Sequence, residues 1–149
     1  MDKEKSISVL NSFIIINNAR IKRYKKASKD TKKSYLKKVF SNFQITSQRC
    51  KTELKKEIIK LGGIPVEDRS NKGSLNNFWF NLKNIFIYKD LNDVIYSCER
   101  NETIVMQSYY EAIYNNFGSL SMKQQVMLNN QYLLINVDHD KMKSFKSAF

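Results

Sequence analysis

Apolar residues recur at alternating spacings of three and four along four long stretches of the chain. That rhythm turns one side of an α-helix toward a core. Ile7, Leu10, Ile14, Asn17, Ile21 and Tyr24 predict a first helix over about residues 3–27, capped by Asp2 or Ser6. Leu36, Phe40, Phe43, Ser47, Cys50, Leu54, Ile58 and Leu61 predict a second over 31–61, with Ser28 or Asp30 as cap. Gly62-Gly63 and Pro65 give it the clearest stop in the chain. Leu91, Ile95, Cys98, Val105, Tyr109 and Ala112 predict a helix over 91–116, opened by Asp90 and closed by Gly118. Leu128, Tyr132, Ile135, His139 and Met142 predict the last, over 121–147, where Ser121 and Gln124 have capping-box spacing.

Two features widen these stripes. The run Phe13-Ile14-Ile15-Ile16 exceeds one stripe and is expected to cover a neighbouring helix or a second subunit. Asn17, polar at mid-seam, reads as a register-setting or hydrogen-bonded core residue. Between the second and third long helices, Leu75, Phe78, Trp79, Leu82, Ile85 and Phe86 predict a short helix over 74–88. It is expected to lie across the bundle and cap its core, with a dimer contact as the alternative.

The connections then set the topology. The first-to-second and third-to-fourth connections are short, which makes antiparallel hairpins. The connection from Gly62 to Lys89 is long enough to cross the bundle. One long crossover in an antiparallel four-helix bundle is the ferritin-like arrangement. The expected fold is therefore all-α, a single domain over 1–149. With four Gly and one Pro in 149 residues, composition agrees with long helices. No apolar run is long enough to span a membrane, and the N-terminus lacks a signal-peptide core. Cys50 and Cys98 have no motif spacing, so buried, reduced thiols in a cytoplasmic protein are expected.

Charge changes the picture. The formal net charge is +12, and residues 1–60 carry all of that excess. Arg20, Lys22, Arg23, Lys25, Lys26, Lys29, Lys32, Lys33, Lys37 and Lys38 flank one turn, with Asp30 the only acid among them. A helical hairpin gathers them at one end of the bundle. Such an end can bind the phosphates of nucleic acid or an anionic membrane surface. The competing reading is a solvated face whose lysines complement the C-terminal dipole of the first helix.

Candidate chemistry centres on Glu102, a carboxylate at mid-seam, with Glu99 one turn before it. A di-iron centre of the ferritin-like kind needs two Glu-x-x-His motifs. The chain has one histidine, so a full di-iron centre is excluded. What remains is a single divalent metal held by Glu99, Glu102 and His139, with Asp138, Asp140, Cys50 or Cys98 nearby. The plainer alternative is a buried Glu–His hydrogen bond or surface carboxylates. No glycine-rich phosphate loop and no nucleophile elbow is present, so no enzyme is expected.

Four segments carry a family resemblance: ISVLNSFIIINNARIKRYKKA in the first helix, SQRCKTELKKEIIKLGGIP closing the second, SCERNETIVMQSYYEAI in the third and HDKMKSF in the fourth. Together with the aromatic pair Phe78-Trp79, they resemble the bacterial family named domain of unknown function 2383. The resemblance implies a ferritin-like bundle and no particular activity. Members often have Glu where this chain has Lys25 and Lys26, which makes the basic end peculiar to this chain. The resulting expectation is an uncharacterised, non-enzymatic bundle protein, a stress or binding accessory, with homodimerisation open.

Overall fold

The computed structural model describes residues 2–67 and 91–148, and among them the structure is helical with no strand. Four long helices appear: α1 (Lys3–Asp30), α2 (Ser34–Lys60), α3 (Leu91–Asn115) and α4 (Met122–Ala148), with a 3-10 turn at Phe117–Ser119 before α4. The expected short helix over 74–88 and the Asp90 cap lie outside the described residues.

Local chemistry explains most of the ends. Asp2 caps α1, its carboxylate accepting from the Glu4 and Lys5 amides. At the end of α2, Gly62 takes φ +80°, and the amides of Gly62 and Gly63 donate back to Ile59 and Ile58. This is the Schellman arrangement, which needs a residue tolerant of positive φ at the first position past the cap. Gly63 is constrained differently: a Cβ there would meet Ile7 at 2.8 Å. Ser121 and Gln124 form the reciprocal capping box, with bonds of 2.9 and 3.1 Å.

One boundary differs. The first helix runs three residues past the expected end, to Asp30, so Ser28 and Asp30 sit inside its last turn and do not cap α2. Lys26 pairs with Asp30 one turn on, at 2.9 Å, which supports that extra turn. The connection is only Thr31–Lys33, and α2 starts after Lys33 with no side-chain cap. Thr31 supplies the local hydroxyl, accepting from the Lys33 amide.

The apolar stripes close on one another. Leu36, Phe40, Phe43, Ser47, Cys50, Leu54 and Ile58 of α2 are all buried, as are Ile95, Cys98, Glu102, Val105 and Tyr109 of α3. The wide run on α1 is covered within the chain: Phe13, Ile14 and Ile16 are buried and Ile15 packs at the edge of the core.

Contacts fix the polarity. Lys37 bonds Ser28 at one end of the α1–α2 hairpin while Gly63 abuts Ile7 at the other. Bonds from Asn17 to Tyr109 and from Arg20 to Glu102 run α1 antiparallel to α3. Tyr109–Gln131 and Thr103–His139 do the same for α3 and α4. So α1 and α4 point one way, α2 and α3 the other. The end of α2 and the start of α3 therefore lie at opposite ends of the bundle. The core falls into two apolar clusters, one built around Leu10, Phe13, Leu54 and Leu128, the other around Tyr24, Phe40, Phe43 and Met142. Polar side chains fill the level between them.

Candidate functional site

That intervening level is organised by one arginine. Arg20 follows Phe13 and Asn17 by seven and three residues on α1, which keeps it in phase with the buried stripe. Its side chain is fully buried. Nε donates to Glu102 Oε1 on α3 at 2.7 Å, and Nη2 to Asp138 Oδ2 on α4 at 2.8 Å. Nη1 donates to the Ser47 hydroxyl at 2.9 Å and the Phe43 carbonyl at 3.0 Å, both on α2. One guanidinium thus joins all four helices. The Tyr24 hydroxyl donates to the same Glu102 oxygen. The guanidinium carbon also lies 5.1 Å from the Tyr24 ring and 5.8 Å from the Phe43 ring, within cation–π range.

Burial works against the charge on Arg20, but Glu102 foremost among its neighbours, with Asp138, more than offsets it and holds the guanidinium pKa above its ordinary value. Burial raises Asp138 above the usual carboxylate range, and Arg20 offsets part of that. Burial also pushes the Tyr24 hydroxyl up, with Glu102 acting in the same direction. A buried cation between two carboxylates is sound only when its donors are satisfied, and here all three guanidinium nitrogens have acceptors.

Beside this layer some polar atoms have no partner among the described residues. Arg23 is buried with Nη1 unpaired, and burial lowers its pKa. Glu102 Oε2 and both amide atoms of Asn101 are likewise buried and unpaired.

A second polar layer lies about one turn away along α1. Asn17 Nδ2 donates to the Tyr109 hydroxyl at 2.7 Å, and that hydroxyl donates to Gln131 Oε1 at 2.8 Å. Gln131 Nε2 reaches the Cys50 carbonyl and Glu53. Asn17 is thus the hydrogen-bonded core residue that its seam position predicts.

The residues expected to hold a metal are divided. Glu102 turns to Arg20 and Tyr24. Glu99 is the carboxylate that approaches His139, at 3.8 Å from Nε2, and Thr103 Oγ1 lies 3.3 Å from the same nitrogen. Among the described residues no group of three or more His, Cys, Asp or Glu side chains is placed to hold a metal ion. Cys50 and Cys98 are buried thiols whose pKa values burial pushes up to about 12.

The basic end also divides. Lys22, Lys25, Lys29, Lys32, Lys33, Lys37 and Lys38 are exposed, and Lys26 is partly covered beside Asp30. Arg23 is corrected out of that surface, because the α1 stripe carries it and Arg20 inward. The stripe Phe13, Ile16, Asn17, Arg20, Tyr24, Ala27 was the signal that would have placed Arg20 inside. The seam expected from apolar residues alone runs through Ile21, which is only partly buried.

No helix among the described residues is long and apolar enough to cross a membrane. Among curated proteins none matches the chain. A family model described as a domain of unknown function (DUF2383) matches residues 5–115, a span that holds Arg20, Ser47 and Glu102 and stops before Asp138. With most of its length matched, the chain belongs to this family of unknown function.

Proposed function

We propose that this is a non-enzymatic, ferritin-like bundle whose interior is closed by its own arginine and whose working surface is the basic end. The observation that carries the reading is the sorting of the basic residues. Arg20 and Arg23 are buried, while seven lysines of the same stretch stand exposed around one helical turn. A guanidinium that ties all four helices supports an interior with a structural role. Exposed lysines on long flexible stems suit phosphate contacts made through charge, and no base-reading motif accompanies them. The partner is therefore a polyanion bound through its charge, with nucleic acid the first candidate.

The test is a salt titration of binding to a short labelled DNA duplex. Affinity is expected to fall linearly with the logarithm of salt concentration, by roughly 0.9 in slope per phosphate neutralised. Replacing Lys25, Lys29, Lys32 and Lys33 with Glu should abolish binding and leave the helical circular dichroism unchanged. A flat salt response, or unaltered affinity in that variant, contradicts the reading.

A single-metal reading retains one observation, the approach of Glu99 to His139. Elemental analysis of protein purified without chelators, with His139→Ala beside it, decides that reading. Metal bound by the parent and lost in the variant supports it; none in either contradicts it.

A further inference from the structure

We infer that two copies of this chain pair through the outer face of α3, antiparallel, about a two-fold axis midway between Thr103 and Gln107. The outward stripe of α3 reads Tyr96, Arg100, Thr103, Gln107, Tyr110, Glu111, Tyr114, and apart from the partly covered Glu111 these side chains are exposed. The stripe is self-complementary when reversed. An antiparallel copy sets Tyr96 against Tyr114, Thr103 against Gln107, and Arg100 against both Tyr110 and Glu111. Each contact occurs twice, as an isologous interface requires. The Arg100 contact joins an ion pair to a cation–π contact, and tyrosine and arginine are the residue types that anchor interfaces.

The neighbouring helix adds the apolar part. The Thr103–His139 and Tyr109–Gln131 bonds fix the register of α4 on α3. In that register Leu133 and Val137 lie level with the middle of the stripe, at the axis, and are 57% and 66% exposed. A surface groove already joins Tyr110, Tyr114 and Phe117 of the α3 end to Tyr132 and Leu133 of α4. Exposed apolar residues gathered side by side in this way are a feature of interaction sites.

The placement of charge permits a second copy as the occupant. The whole +12 excess sits on residues 1–60, that is, on α1, α2 and the turn between them. Pairing through α3 and α4 keeps the two basic hairpins on opposite outer sides, where their repulsion is screened.

The experiment is sedimentation velocity on the full chain across a concentration series, at moderate salt. The parent is expected to shift toward twice its 17.6 kDa mass as concentration rises. Arg100→Glu alone and Glu111→Arg alone should each weaken association by about 10-fold or more. The doubly exchanged chain, Arg100→Glu with Glu111→Arg, should recover it. In a second readout, Tyr96→Cys and Tyr114→Cys chains should cross-link with each other on mild oxidation, and neither with itself. A chain monomeric at every concentration, a double exchange no better than the singles, or self-cross-linking of either cysteine variant overturns the proposal.

Discussion

The bundle holds two polar layers one helical turn apart, and they solve the same problem in different ways. The Asn17–Tyr109–Gln131 layer is neutral and reaches Glu53 only at its edge. The Arg20–Glu102–Asp138 layer gathers two carboxylates on one guanidinium. In the neutral layer each broken bond leaves a dipole without its partner. In the ionic layer each deletion leaves a buried charge. The two should therefore differ in fragility by more than they differ in hydrogen-bond count.

Arg20→Ala tests the fragile side and should give the largest effect. Removing it leaves Glu102 and Asp138 facing each other at the centre, a loss of about 3–5 kcal/mol by urea denaturation. Replacing the set together, Arg20→Met with Glu102→Leu and Asp138→Leu, should recover most of that loss or exceed the parent. Apolar substitutes of similar volume often match a buried ion cluster within about 1–4 kcal/mol. In the neutral layer, Tyr109→Phe keeps the ring packed 4.7 Å from Phe13 but strands Asn17 and Gln131. A loss of about 1–3 kcal/mol is expected. A Tyr109→Phe effect equal to that of Arg20→Ala would erase the distinction between the layers.

A smaller effect appears with pH. Burial holds the folded Cys50 and Cys98 thiols up at about 12, above the ordinary thiol value of about 9. A folded pKa above the unfolded one means stability fully present below pH 9 and lost as pH rises toward 12. Tyr24 and Tyr109, both raised by burial, add to the same alkaline limb. Stability measured from pH 8 to 11 should hold to about pH 9 and then fall, and Cys98→Ala should flatten part of the slope. A rise over that range contradicts the assignment. Thiol reactivity is the last check and leaves stability untouched: native protein at pH 8 should react with a thiol reagent more slowly than unfolded protein.

The helices were legible in the sequence because their periodicity is strong. Every residue of the α2 stripe from Leu36 to Ile58 is buried as its spacing predicts. The Gly62 turn and the Ser121–Gln124 box were legible because backbone geometry admits few residues there. The ionic layer was legible only from one side. Glu102 stood out as a carboxylate on an apolar stripe, but its partner did not. Arg20 lies in a run of cations, where local composition points to solvent, and only the phase of the helix points inward. Asp138 shares its stripe with Gln131, seven residues earlier. The stripe Leu128, Tyr132, Ile135, His139, Met142 is buried apart from the partly covered Tyr132, and Gln131 and Asp138 lie beside it on the same inward face. Pattern alone identifies which face of a helix is buried. It does not identify which polar residue on that face will find a counter-charge three helices away.

The most direct test of the central claim is a double-mutant cycle on Arg20→Met and Glu102→Gln, measured by urea denaturation. If Arg20 holds the interior through Glu102, the two losses should be strongly non-additive, with a coupling of about 2 kcal/mol or more. Losses that add to within about 0.5 kcal/mol would show that the two side chains do not act on each other, and the account of a guanidinium-closed interior would be wrong.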